Sequence, residues 1–284
     1  MGLIDLHSHS TASDGSHTPT ELVKDAAQLG VTTLALSDHD TVAGIDEAFT
    51  AGSVHGIEII PAVEISVDTP GDDMHLLGYG IDHHNTELVD VLNKLVDGRH
   101  TRNKEIVSKL NELGLAISYD DVLAISKEGV PGRAHIAEAL WQKGLIAEFN
   151  DAFEKYLKRG KPAHADRFRY QIADAIALIH RAGGIAVWAH PGLHRDRLEE
   201  MLGYLPEWVD AGLDGIESDY FNHSLELRDR IRGIAVEHGL IYTGGSDFHG
   251  LIKYENTLGV GAGGKPVDQK CLEMLKERLS DNNV

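Results

Sequence analysis

The chain has 284 residues, 42% of them hydrophobic, enough for a full core and the right length for one barrel-sized domain or two modest ones. Its 45 acidic against 26 basic side chains give a formal charge of −19, so a long polyanion such as extended duplex DNA meets net repulsion, while small anions stay compatible. The single cysteine, Cys271, reads as a packed residue of a C-terminal helix and excludes an intramolecular disulfide or a thiolate metal cluster; with no basic leader and no membrane-spanning apolar run, the expected setting is the reducing cytoplasm.

Residues 2–6 read as a strand, and Thr18-Pro19-Thr20-Glu21 as a capping box with proline in the first turn, opening a helix that Gly30 stops. Residues 31–36 form the next strand, 42–54 a helix, 57–63 a buried strand and 75–81 another. From residue 87 to 162 the alternation gives way to helical spacing, in Leu88, Val91, Leu92 and Leu95 and again in Ile106, Leu110 and Leu113. It resumes with helix 171–181, strand 184–188, helix 197–209, strand 213–217, helix 225–237 and strand 240–243. The expected fold is α/β, a distorted TIM-like (β/α)7 barrel of about seven units made by residues 1–86 and 163–284. Residues 87–162 are then a helical insertion that overhangs the C-terminal face as a lid.

His7 and His9 stand two apart behind the first apolar run, so a strand sends both imidazoles to one side. One such pair fits a half-buried strand with two polar residues on its wet face. Similar clusters follow other apolar runs, however: Ser37-Asp38-His39-Asp40, Ala62-Val63-Glu64, Ala189-His190-Pro191 and Ser246-Asp247-Phe248-His249. In a parallel barrel the C-terminal strand ends share one mouth, which brings these groups together. Imidazole mixed with carboxylate suits Mn²⁺, Zn²⁺ or Fe²⁺, and the candidates outnumber the ligands that one ion takes, so two or three ions are implied.

These residues resemble the polymerase and histidinol phosphatase (PHP) domain family, whose four motifs match His7-Ser8-His9 with Asp14, Ser37-Asp38-His39-Asp40, Ala189-His190-Pro191 and Ser246-Asp247-Phe248-His249. The resemblance implies a distorted β/α barrel with a trinuclear site, Mn²⁺ first among the candidates. It places His7, His9, Glu64 and Asp247 around one ion, Asp14, His39 and His249 around a second, and Glu64, His75 and His190 around a third. Glu64 bridges two ions, as a carboxylate with two oxygens can. Asp38 and Asp40 are expected to orient His39.

The insertion carries Arg99 and Arg102, three apart on one helix face, and Arg133 after Pro131-Gly132. Guanidinium forks bind phosphate in bidentate fashion. The chain is similar to the stand-alone branch of the family that includes nucleoside 3',5'-bisphosphate phosphatases, some of whose relatives trim short RNA from the 5' end; there, arginines of the inserted helices hold the second phosphate, and Arg99, Arg102 and Arg133 are the matching positions. A second basic run, Lys158-Arg159-Gly160-Lys161 with Arg167 and Arg169, reads as surface.

The functional expectation is hydrolysis of the 3'-phosphate of pAp-like bisphosphates to a 5'-mononucleotide, by a hydroxide bridging the ions. Asp14 and His39 face the substrate, and His194 or His223, just after strand ends, protonates the leaving oxygen. His55, His83, His84, His180 and His238 read as surface or packed residues. Alternatives are 5'-to-3' exoribonuclease action on short oligoribonucleotides, a histidinol-phosphate-type monophosphatase, for which the basic insertion has little use, an amidohydrolase-type hydrolase, which lacks its bridging lysine here, and a non-catalytic module braced by metal. A small nucleotide or short RNA is the expected partner, with no membrane.

Overall fold

Local signals set the opening β/α units of the computed structural model, which describes residues 2–69, 72–127, 129–253 and 255–282: β1 (Leu3–Ser8), α1 (Pro19–Gln28), β2 (Val31–Leu36) and α2 (Ile45–His55). Thr18 caps α1 as its sequence implies. The hydroxyl accepts from Glu21 N at 3.2 Å and the Glu21 carboxylate from Thr18 N at 2.9 Å, which satisfies donors that a helix start leaves orphaned.

Next come β3 (Glu58–Thr69), β4 (Asp72–Tyr79) and the inserted helices α3 (Thr86–Glu112), α4 (Tyr119–Ser126), α5 (Arg133–Gln142) and α6 (Phe149–Ala152), the last running into a π turn over Phe153–Leu157. The chain then returns through β5 (Tyr170–Gln171), α7 (Ile172–Arg181), β6 (Ile185–Trp188), α8 (Leu198–Gly203), α9 (Leu205–Asp210), β7 (Gly215–Tyr220), α10 (Leu225–Glu237), β8 (Ile241–Gly245) and α11 (Gln269–Asn282). The single helix expected over 197–209 is instead a 3₁₀ turn (Pro191–Arg197) followed by α8 and α9, and Pro206 sits in the first turn of α9, where its missing N–H costs nothing.

The strands order as β1-β2-β3-β4-β6-β7-β8, with the short β5 beside β3. Seven strands thus make a nearly closed TIM-like barrel. It is distorted because β4 runs antiparallel to both β3 and β6, while the other neighbours on the path are parallel. Inside lie Ile4, Leu6, Ala35, Ala62, Leu77 and Val187, with Cys271 and Leu275 of α11 packed into the same cluster. A second layer joins strands to the outer helices through Leu22, Val23, Ile176 and Met201. The insertion has a core of its own, including Ile106, Leu110, Val122, Ile136 and Leu140. Among the described residues no helix is long and apolar enough to cross a membrane.

The β1–β8 seam is held by few backbone bonds: Asp247 N to His7 O and His9 N to Phe248 O, both 2.9 Å. A buried carboxylate completes it. Asp5 accepts from His7 N (3.1 Å), Ser246 N (3.0 Å), Ser246 Oγ (2.6 Å) and Gly259 N (2.8 Å), linking three stretches of chain under the mouth. Asp5→Ala strands those buried donors, so unfolding in urea should show a loss of about 3 kcal/mol, with an unchanged midpoint refuting the latch.

Candidate metal centre

Backbone twist at the strand ends turns the motif residues inward. Asp40, His190 and Asp247 all take positive φ (54°, 31° and 53°), a conformation that side-chain-bearing residues rarely adopt and that tends to mark functional sites. His7 is the penultimate residue of β1, while His39 follows β2 and pairs in an isolated bridge with Glu64. The strand expected to stop at residue 63 runs on to Thr69, so Glu64 sits mid-strand in β3 and not at its end. His75 likewise departs from the expectation that every ligand candidate ends a parallel strand. It lies early in β4, and the reversed direction of β4 brings it to the same mouth, opposite Ser66.

All nine candidate ligands converge. Four overlapping groups have donor atoms within 4.8 Å of one another: His9, Asp14, His39 and His249; His7, Glu64 and His190; His7, His9 and Asp247; and His39, Glu64 and His75. Their partition differs from the one implied by the resemblance, since His9 joins the Asp14 group and His39 the Glu64–His75 group. Glu64 occupies the middle. Its Oε2 stands 3.3 Å from His7 Nε2, 3.2 Å from His9 Nε2 and 3.0 Å from His39 Nδ1, and its Oε1 2.8 Å from His75 Nδ1 and 2.7 Å from His190 Nε2. Asp247 Oδ1 is 3.3 Å from His9 Nε2 and 3.7 Å from His7 Nε2. On the outer side, Asp14 Oδ1 is 3.3 Å from His249 Nε2.

Those spacings fit divalent ions. Donors about 2.1 Å from an ion stand about 3.0 to 3.4 Å apart in octahedral or tetrahedral array, close to the separations among His7, His9, Glu64 and Asp247. Moreover His7 Nε2, both ring nitrogens of His9, His39 Nδ1, Glu64 Oε2 and His190 Nδ1 are buried without a hydrogen-bond partner. Buried polar atoms are rarely left so, and a cluster of them in one place calls for a ligand. Electrostatics agree. Burial works against charge on Glu64, yet His39, His75 and His7 hold its carboxyl well below the usual carboxylate range, and His39 and His249 do the same for Asp14. Burial also works against charge on the imidazoles, but Glu217, Glu64 and Asp247 push His7 well above its ordinary value, and the adjacent Asp247 and Glu64 carboxylates push His9 up to about 9.

Sequence reasoning missed three groups that hold this cluster in shape. Glu217, the third residue of β7, accepts from His7 Nδ1 (3.0 Å) and His190 N (2.7 Å), so the His7 Nε2 lone pair faces inward. Lys253 Nζ (2.5 Å) and Tyr220 OH (3.0 Å) both donate to Asp247 Oδ2, leaving Oδ1 toward the histidines. Nothing in the spacing of Lys253 or Tyr220 marks them. Glu217→Gln should weaken Mn²⁺ binding about 10- to 100-fold in calorimetric titration; unaltered affinity would deny Glu217 that role.

Three other expectations need correction. Asp38 does not orient His39: it accepts from Ser10 N (2.8 Å), Ser10 Oγ (2.6 Å) and Ser13 Oγ (2.6 Å), which fixes the loop bearing Asp14. Asp40 turns to the insertion side, where Arg99 Nε (2.6 Å) and Arg167 Nη1 (3.0 Å) share its Oδ2. His223 donates from Nδ1 to Ser218 O (2.8 Å) and accepts at Nε2 from Gly192 N (3.0 Å), so the backbone holds both nitrogens and no proton is left for a leaving group. The ring of His194, the other candidate proton donor, lies beside Trp188, with centroids 5.8 Å apart.

Arg167 and Arg169, expected at the surface, line one cleft with Arg99, Arg102 and Arg133, beside Asp14, His39 and His75. Lys158, Arg159 and Lys161 are exposed as expected. The Arg167 side chain is only 4% exposed, its Nε lacks a hydrogen-bond partner, and burial with the neighbouring Arg99 charge lowers it to about 10. Such crowding of guanidinium groups around one carboxylate leaves uncompensated positive charge. Gly132 stands between cleft and cluster: a Cβ there would lie 3.7 Å from both Arg99 Nη1 and Asp14 Oδ2.

Comparison with known proteins is consistent with this geometry. The PHP domain family profile matches residues 5–165. A 5'-3' exoribonuclease of Haemophilus influenzae is 39% identical over 245 residues, covering 86% of this chain and 89% of that protein. A 3',5'-nucleoside bisphosphate phosphatase of Chromobacterium violaceum is 35% identical over 253 residues, 88% of each. A crystal structure from Bifidobacterium adolescentis, assigned as a metal-dependent phosphoesterase, superposes with a TM-score of 0.86 at 32% identity over 97% of this chain and 96% of that one.

Proposed function

This chain belongs to the PHP domain family and is a hydrolase of its metal-dependent phosphoesterase kind, and from that premise we propose that it removes the 3'-phosphate of nucleoside 3',5'-bisphosphates, giving a 5'-mononucleotide and inorganic phosphate. The observation that carries the reading is the adjacency of two unlike sites: a carboxylate–imidazole cluster whose groups could hold metal ions, and an arginine cleft that shares Asp14, His39 and His75 with it. A substrate with two phosphates fills both. Mn²⁺ is the ion we infer first, from the mixed imidazole and carboxylate donors without thiolate, with Zn²⁺ or Fe²⁺ also matching that set.

Nine side chains make the first half of the site: His7, His9, Asp14, His39, Glu64, His75, His190, Asp247 and His249. Ions held by them supply, when bound, Lewis acidity at the phosphoryl oxygens and a nucleophilic water. Arg99, Arg102 and Arg133, now with Arg167 and Arg169, hold the distal phosphate and so set which phosphate reaches the cluster. Charge alone fixes that register, and base preference is loose. The amidohydrolase reading asks for a bridging lysine, and Glu64 stands in the middle of the cluster instead.

A panel of pAp, 5'-AMP, 3'-AMP and an aryl phosphate, assayed with Mn²⁺, tests the need for two phosphates. Arg102→Ala should raise KM for pAp about 10- to 30-fold and leave that for the aryl phosphate within about twofold. Equal effects on both substrates would refute the clamp.

A further inference from the structure

Outside the metal centre and the arginine cleft, another set of metal-ligating side chains comes together at the surface. Asp46 stands in the first turn of α2, at the end of the loop that carries His39 and Asp40, and His83 and His84 stand in the connection from β4 to α3. Folding places Asp46 Oδ1 2.9 Å from His83 Nε2 and 3.7 Å from His84 Nε2, with one ligand atom from each residue within 4.8 Å of the others. We propose that Asp46, His83 and His84 form a separate site for one borderline divalent cation, Zn²⁺ first, which staples the start of α2 to the connection between β4 and α3.

Geometry and donor type both favour a cation over a simple ion pair. One proton serves one imidazole. His83 donates it to Asp46, while His84 is brought to the same oxygen at a distance beyond a hydrogen bond, its ring centroid 4.0 Å from that of His83. Tetrahedral Zn²⁺ holds its donors at about 2.0 to 2.1 Å and hence about 3.3 Å apart, between the two separations observed. Much of the site is set in advance. The His83 side chain is only 14% exposed, with its ring 5.6 Å from that of Phe49. The connection is pinned as well, since His84 N donates to Asp82 Oδ1 (3.0 Å) and Asp82 N to Ala182 O (2.7 Å). Asp46 and His84 are exposed and have room for the small adjustment that remains.

The hydrogen bond from His83 holds the Asp46 carboxyl below the usual carboxylate range, so the anion is the form that meets the cation. Binding releases the His83 Nε2 proton to solvent and leaves that ring protonated at Nδ1. Two neutral imidazoles and a carboxylate then fill three positions, and water takes the fourth. This donor set binds Zn²⁺ ahead of Mn²⁺ in the general order of divalent affinities, so enzyme supplied with Mn²⁺ keeps the site for zinc. An ion here joins the loop of His39 and Asp40 to the residues that open α3, the helix of Arg99 and Arg102. Because the site shares no residue with the metal centre or the arginine cleft, it stands or falls apart from the bisphosphate reading.

The test dialyses the parent chain and a His83→Ala/His84→Ala variant, both in Mn²⁺, against micromolar Zn²⁺ and counts zinc by emission spectroscopy. The parent should hold one zinc ion per chain more than the variant, while both hydrolyse an aryl phosphate in Mn²⁺ alone at rates within about twofold. Equal zinc contents would overturn the site. Asp46→Asn, which leaves both imidazoles in place, should weaken binding of the extra ion about 10-fold or more, and unchanged affinity would remove Asp46 from it. Position is read from zinc anomalous scattering in crystals at the same concentration, with a peak expected among Asp46, His83 and His84. A peak that needs millimolar Zn²⁺, or one completed by a neighbouring molecule in the lattice, would mean an adventitious ion only. Amides of residues 82–86 should exchange more slowly with zinc in the parent and not in the variant; unchanged exchange would overturn the staple.

Discussion

Glu64→Gln should lower kcat on every phosphoester by about 10³-fold or more, and the purified variant should carry less bound metal than the parent. The reason lies in the position of one carboxylate. Its two oxygens face five histidines from three strand ends and the antiparallel β4, at 2.7 to 3.3 Å, and among the described residues no other carboxylate reaches as many of them. An amide has nearly the same shape but supplies one acceptor and no charge, so two of the four donor groups lose their anionic member. Loss of several kcal/mol of charge stabilisation at the phosphoryl group corresponds to that many decades of rate. Metal content by emission spectroscopy and steady-state kinetics measure the two halves of the claim. Full metal loading with parental kcat would show that Glu64 is not a bridge. Circular dichroism should stay unchanged, because Glu64 is fully buried in a strand whose backbone ladder the substitution leaves alone.

Much of this centre is legible in the amino-acid order because most motifs follow a short apolar run, and in a chain of alternating strands and helices such a run reads as a strand that delivers its end to the barrel mouth. His7-x-His9 and Asp247-x-His249 are readable for that reason. His75 is harder. The fold places it correctly only through the β3–β4 reversal, and single-sequence periodicity carries strand positions without strand direction. Glu217 gives no such signal, since Ser218 and Asp219 follow it in the strand and its partner is a ligand candidate 210 residues away in sequence. The insertion was visible where the strand–helix alternation gives way to helical spacing alone, yet which of its arginines point inward was not. Arg167 illustrates the difficulty: in a segment of mixed charge its natural reading is solvated surface, and only tertiary packing against Asp40 and Arg99 draws the side chain inside. Asp40 was read toward its sequence neighbour His39 for the same reason, since sequence proximity is the only distance that a sequence displays.

That buried guanidinium yields the other large effect. Arg167→Ala should lower kcat/KM for pAp about 100-fold, chiefly through KM, while an aryl phosphate is hydrolysed at nearly the parental rate. A charged hydrogen bond contributes about 1.5 to 3 kcal/mol, and at 4% exposure with an unpartnered Nε the group has little water to fall back on. Its loss also relieves Arg99 of a like-charged neighbour, so Asp40 stays paired and the cleft should keep its shape. The companion variant Arg167→Lys separates charge from geometry. Lysine keeps the positive charge but not the planar fork, so recovery of part of the KM defect, without the whole of it, is the expected outcome. Full recovery would mean that Arg167 serves only as a point charge, and an equal loss on the aryl phosphate would mean that it supports the metal centre through Asp40 and does not select the distal phosphate at all.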